Sequence, residues 1–190
     1  MNIIENDIEH CLQVLKEGGL ILYPTDTVWG IGCDATNEAA VAKVYALKQR
    51  ADEKALIVLV AEERDVLHYT AAPDLAVFDY LQQTTKPTTV IYEGAIGLAS
   101  NLTAADGSIG IRICAEPFCR QLIKRFRKPI VSTSANFSGK PSPANFSEID
   151  ESLIEKVDYV VKYRQDDRQK HTASPVIKIG LNGTIQIIRK

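Results

Sequence analysis

Val131-Ser132-Thr133-Ser134-Ala135-Asn136-Phe137-Ser138-Gly139-Lys140-Pro141 places four hydroxyls, one amide and one glycine within eleven residues. The apolar lead-in Pro129-Ile130-Val131 reads as the end of a buried strand that runs directly into this polar loop. Open α/β sheets bind ligands where strands end. Hydroxyls and backbone N–H groups at such an edge suit a phosphate or a carboxylate. The plain alternative is a serine-rich turn whose side chains bond their own backbone. This segment alone leaves the two readings side by side.

Working outward, short apolar runs alternate with segments of helical period. Ile4, Ile8, Leu12 and Leu15 predict a helix over residues 4–16 that Gly18-Gly19 stops. Asn37 predicts the cap of a second helix, with Ala40, Val41, Val44 and Leu47 on its core face. Helices are also predicted over 73–83, over 116–126 with a basic C-terminal end, and from a Ser147 cap to residue 154. Strands are predicted over 20–23, 56–60, 88–92, 108–113, 130–133 and 159–161. Residues 176–179 and 184–188 flank Leu181-Asn182-Gly183, a hairpin signal. Residues 164–173 are polar and without period, and read as an exposed loop. The expected fold is therefore mixed α/β (α+β), one domain over residues 1–190 with a twisted sheet and flanking helices.

Composition excludes several classes. Hydrophobic content of 45% supports a normal core, and a net charge of −2 gives no global basic field for nucleic acid. Cys11, Cys33, Cys114 and Cys119 show no Cys-x-x-Cys spacing, and His10, His68 and His171 make no helical metal pair. Reduced, buried thiols and no metal site are expected. No apolar run approaches a membrane span and no leader pattern opens the chain, so a cytoplasmic location is expected.

Two further segments bear on chemistry. Tyr23-Pro24-Thr25-Asp26-Thr27-Val28-Trp29-Gly30-Ile31-Gly32 follows a predicted strand and offers two hydroxyls, a carboxylate and two glycines. Its plain alternative is a proline-initiated turn beside a core aromatic. In Lys48-Gln49-Arg50 two cations leave a helix end together, a point charge and a planar fork that suit one anion. Helix-end charge is the plain alternative. Arg112, inside an apolar strand, needs an anionic partner or an exposed face. Ser174 precedes Pro175 at the start of a late strand.

In this order and spacing, Tyr-Pro-Thr-Asp-Thr, Lys-x-Arg and Ser-Thr-Ser-Ala-Asn-x-Ser-Gly resemble the YrdC-like family, over residues 7–189. The resemblance implies a twisted mixed sheet with a positively charged concavity. It implies synthesis of threonylcarbamoyl-AMP and pyrophosphate from L-threonine, bicarbonate and ATP, with Mg2+ on the nucleotide, for threonylcarbamoyladenosine in ANN-reading tRNAs. By the same resemblance, Lys48, Arg50, Ser134 and Asn136 hold the phosphates and reacting centre. Tyr23, Thr25, Thr27 and Arg112 take threonine. Thr89, Ser132, Ser174 and Arg189 face the nucleotide. Implied partners are a downstream tRNA threonylcarbamoyl transferase complex and tRNA or double-stranded RNA, for which Lys124, Arg125, Arg127 and Lys128 offer a second patch. The alternative reading is a paralogue that binds double-stranded RNA or nucleotide without turnover. Four departures stand out. Ala51 replaces a proline. Thr85-Lys86-Pro87-Thr88-Thr89 replaces a glycine-containing segment. Ser174-Pro175-Val176 replaces Ser-Thr-Val, losing a hydroxyl and an N–H. Tyr163-Arg164-Gln165 stands where the family usually has two glycines.

Overall fold

Strands and helices alternate along the computed structural model, which describes residues 3–49, 56–180 and 184–190. Arg50, Ala51 and the predicted turn Leu181-Asn182-Gly183 lie outside the described residues. The helices are α1 (Ile3–Lys16), α2 (Glu38–Lys48), α3 (Glu63–Tyr69), α4 (Ala76–Gln83), α5 (Pro117–Phe126) and α6 (Glu151–Ile154). The strands are β1 (Ile21–Tyr23), β2 (Gly30–Gly32), β3 (Ile57–Val60), β4 (Thr89–Tyr92), β5 (Ile109–Ile113), β6 (Ile130–Ser134), β7 (Tyr159–Val160), β8 (Val176–Ile179) and β9 (Ile185–Arg189). They form one mixed sheet in the order β7-β1-β2-β6-β3-β5-β4-β8-β9.

The pairings β1–β7, β3–β5 and β4–β8 are parallel, and the others are antiparallel. Strand β6 sits between β2 and β3, antiparallel to both, so its C-terminal end opens between two partners. The paired β8 and β9 agree with the predicted hairpin.

Local chemistry explains the helices. Helix α1 buries Ile8, Cys11 and Leu15 and ends where Gly18 adopts φ 71°. In α2 the Asn37 side chain accepts the Ala40 N–H at 3.1 Å, and Ala40, Val41, Val44 and Leu47 are buried as their spacing requires. It ends at Gln49 in the left-handed region, φ 52°. Helix α5 opens on Glu116, whose carboxylate accepts the Cys119 N–H at 2.8 Å, with Pro117 in its first turn. Helices α1 and α5 pack together, α1 also on β1 and β7, and α5 on β3.

Burial pushes the Glu116 carboxyl above its ordinary value, outweighing the Cys119 N–H and the nearby Arg164 charge, which pull it down. A carboxyl raised in the folded state contributes stability that is present below its ordinary 4.5 and lost as pH rises through the raised value. Glu116→Gln keeps an oxygen for the cap and removes the charge. Thermal melts from about pH 4 to about pH 8 are expected to show the variant gaining on the wild type as pH rises.

Three expectations need correction. Strand β2 is an addition, since no strand is predicted over Gly30-Ile31-Gly32. Close packing requires its glycines. A Cβ on Gly32 would lie 2.6 Å from Tyr23 Cε1 and 2.7 Å from the Val131 carbonyl, and one on Gly30 would meet Ser132 Oγ at 3.1 Å. Gly32→Ala is therefore expected to destabilise by about 1–3 kcal/mol, read from chemical denaturation. Helix α3 buries only Val66 and so lacks a periodic face. Ser147 does not cap a helix. It lies inside a 3-10 turn, Phe146–Glu148, and Asp150 caps α6 by accepting the Ser152 N–H at 3.0 Å.

Candidate active site

The polar end of β6 meets β5, the loop between β1 and β2, and the segment entering β8 around a cavity of about 140 Å³. Thr27, Gly30, Arg112, Ser132, Ser134, Ser174 and Arg189 line it. Residues Thr27, Ala173, Ser174 and Arg189 also border a neighbouring groove of about 910 Å³, rimmed by Lys86, Lys170 and Lys190. A small pocket rich in hydroxyls beside a larger groove carrying several cations fits a compact ligand joined to an anion.

Arg112 organises the pocket. It is 3% exposed and forms an ion pair with Asp26 Oδ1 at 3.0 Å. Its Nη1 donates to Ser174 Oγ at 3.1 Å and its Nη2 to Thr25 Oγ1 at 3.3 Å. Ser174 Oγ also lies 2.8 Å from Thr89 Oγ1, which ties two of the predicted nucleotide-side hydroxyls to one guanidinium. Arg112 Nε has no partner despite its burial. A buried cationic N–H without a partner is costly, and a ligand oxygen that reached it would offset that cost.

Thr25 Oγ1 donates to the Val28 carbonyl at 2.7 Å and accepts the Thr27 N–H at 3.1 Å, so the loop is wound around one hydroxyl. Tyr23 is placed elsewhere. Its ring packs under Gly32, its hydroxyl donates to the Val131 carbonyl at 3.1 Å, and burial drives the phenol well above its ordinary value. It supports β2 and β6 from inside the core and does not line the cavity.

Lys48, 3% exposed, does not line the cavity itself but braces the end of β6 that does. Its Nζ donates to the Ser134 carbonyl at 2.6 Å and to Asn136 Oδ1 at 3.3 Å, and Ser134 Oγ donates to the same Oδ1 at 2.5 Å. The Asn136 amide is turned by its Nδ2 bonds to the Phe137 and Lys140 carbonyls. Three of the four residues expected at the reacting centre thus converge, and Arg50 lies outside the described residues. Arg189 Nη2 donates to the Ser174 carbonyl at 2.7 Å, bringing the last strand to the pocket. Pro175, which lacks an N–H, still uses its carbonyl to accept from Thr89 N at 3.0 Å. That contact sets Thr89 and Ser174 side by side.

Two contributors escaped the expected set. Asp26 stands within a quoted motif, and only its pairing with Arg112 reveals its place. Arg164 lies in the segment read as an exposed loop, yet its Nη1 donates to the Thr25 carbonyl at 3.1 Å. The only signal available for it was its position in place of glycine.

Among the described residues no group of three or more acidic, His or Cys side chains is placed to hold a metal. Of the Asp26 oxygens, Oδ1 faces Arg112 and Oδ2 accepts from Ala115 N at 3.2 Å. The donor set at the cavity is hydroxyls and cations, which suits an anionic ligand. The basic stretch at the end of α5 is largely paired, Lys124 with Glu62, Arg125 with Glu5 and Lys128 with Asp34. Among the described residues, no helix is long and apolar enough to cross a membrane.

The family model for Sua5, YciO and YrdC proteins, described as "Telomere recombination", matches residues 13–190. The chain belongs to the Sua5/YciO/YrdC family. A putative threonylcarbamoyl-AMP synthase of Methanocaldococcus jannaschii is 36% identical over 179 residues, 92% of this chain and 83% of the relative. The threonylcarbamoyl-AMP synthase of Pseudoalteromonas translucida is 30% identical over 184 residues, 95% of this chain and 97% of the relative. Solved Sua5/YciO/YrdC structures share the fold. E. coli YciO superposes with a TM-score of 0.82 at 21% identity, covering 96% of this chain and 88% of that one. P. abyssi Sua5 complexed with L-threonine gives 0.80 at 24% identity over 90% of this chain. The chain spans about half the length of the Sua5 structures it matches, 50% in that complex.

Proposed function

We propose that this chain is a threonylcarbamoyl-AMP synthase, a nucleotidyltransferase that condenses L-threonine, bicarbonate and ATP and releases pyrophosphate. The single observation that carries the reading is a buried guanidinium, Arg112, lining the same small cavity as Ser134, whose carbonyl and hydroxyl are tied to Lys48 and Asn136. Relatives that carry this name over most of their own length support it.

The threonine amine condenses with bicarbonate to a carbamate and water. A carbamate oxygen then attacks the α-phosphorus, and pyrophosphate departs. Arg112 takes the threonine carboxylate, while Thr25 and Thr27 define the pocket around it. Lys48 and Arg50 offset phosphate charge, and Ser134 and Asn136 orient the reacting group. Thr89, Ser132, Ser174 and Arg189 serve the nucleotide side. Mg2+ carried in with the nucleotide would supply charge neutralisation beside that of Lys48 and Arg50. Among the described residues lining the cavity there is no carboxylate or histidine to act as a base, and the rate comes from positioning and charge neutralisation. The product is a mixed anhydride that a tRNA threonylcarbamoyl transferase complex consumes.

Pyrophosphate release from ATP tests this directly. Release that requires both threonine and bicarbonate, with a nucleotide product of threonylcarbamoyl-AMP mass, is the expected result. ATP binding with no such release would sink the proposal.

A further inference from the structure

Residues 161–174 run from β7, at one edge of the sheet, to β8, and lend Ala173 and Ser174 to the cavity wall. This strap is fastened at its start and its end. Asp7, fully buried on α1, accepts the Lys162 and Tyr163 N–H groups at 3.1 and 2.9 Å and the Tyr159 hydroxyl at 2.7 Å. At the other end Ser174 bonds Arg112 and Thr89.

Arg164 sits between these anchors at φ 65°, a backbone conformation that glycine adopts freely and other residues rarely do. Its guanidinium is fully directed. Nε and Nη2 donate to Asp167 Oδ2 at 3.3 and 2.9 Å, and Nη2 lies 3.3 Å from His171 Nε2. Nη1 reaches back to the Thr25 carbonyl at 3.1 Å. Thr25 is thereby gripped from two sides, its carbonyl by Arg164 and its hydroxyl by Arg112 at 3.3 Å. That same hydroxyl accepts the Thr27 N–H.

We propose that Arg164 is a positioning residue for the amino-acid half of the site. By holding the Thr25 carbonyl it fixes the hydroxyl that orients Arg112, and so pre-forms the carboxylate pocket. Its effect on threonine rests on the synthase reading above, whereas its hold on the loop does not. Asp167 and His171 aim the guanidinium, and Asp7 sets where the strap begins.

Arg164→Gly separates this role from a merely structural one, because glycine suits the backbone while deleting the grip. The variant is expected to keep the wild-type melting temperature. Its KM for threonine is expected to rise about tenfold, with kcat at saturating threonine and KM for ATP little changed. Amide hydrogen exchange over residues 24–29 is expected to speed up by a similar factor, whether or not the protein turns over. Unchanged threonine KM with unchanged exchange would overturn the proposal. So would an equal loss of threonine and ATP affinity accompanied by a lower melting temperature. A wild type that makes no threonylcarbamoyl-AMP would remove the synthase reading, and the exchange over 24–29 would then decide the positioning role alone.

Discussion

Lys48→Ala is expected to cut threonine-dependent pyrophosphate release by about two to three orders of magnitude, the scale of losing one preorganised donor at a reacting centre. The ammonium is almost wholly withdrawn from water, at 3% exposure, so its charge is weakly screened. It is also fixed, since the Ser134 carbonyl and Asn136 Oδ1 hold it at 2.6 and 3.3 Å. A phosphate would therefore meet a cation that requires no reorganisation. Deleting it also removes one hydrogen bond from the Ser134 carbonyl, which still accepts the Asn136 N–H at 2.8 Å, so the folding cost is only about 1 kcal/mol. Melting temperature and ATP affinity should accordingly be measured beside turnover. A variant that folds, binds ATP and retains full pyrophosphate release would show that Lys48 only braces the loop after β6.

The second large effect concerns the buried ion pair. Arg112→Met removes the partner of Asp26, whose side chain is 8% exposed, and leaves its carboxylate buried without a countercharge. A loss of about 3–5 kcal/mol in unfolding free energy is expected. Adding Asp26→Asn removes the stranded charge, so the double variant should regain most of that stability. Threonine binding should not return if, as proposed, it is this guanidinium that receives the carboxylate. Calorimetry of threonine binding, read beside denaturation of both variants, separates the two roles. Recovery of threonine affinity in the double variant would mean that Arg112 serves folding alone.

Much of this architecture is legible in the chain because burial imposes a period. The apolar faces of α1 and α2 and the branched run of β3 declare themselves, and Asn37 marks a helix start by its own hydrogen bond. Strand β2 is illegible for a physical reason. Glycine is demanded there by the Tyr23 ring and the Val131 carbonyl, and nothing in a Gly-Ile-Gly triplet distinguishes a packing constraint from a turn. Helix α3 hides because one buried residue makes no period. At the site, the hydroxyl-rich loop, Lys48 and Arg112 are visible as motifs, while the Asp26–Arg112 and Arg164–Thr25 contacts join residues 86 or more positions apart. Tyr23 shows that a residue inside a motif can also pack in the core beneath it.

The span of those contacts also bears on how the protein comes into being. Thr89 meets Ser174 across 85 positions, Arg164 meets Thr25 across 139, and Arg189 supplies the pocket from the final strand. No segment emerging early from a ribosome contains a working pocket, however well α1 and β1 have formed. Contacts of such long range are made late and slowly. A nascent chain therefore lacks part of the cavity wall until residue 189 has been added. Ligands that favour the finished pocket act only on the last act of folding, pulling it to completion by mass action.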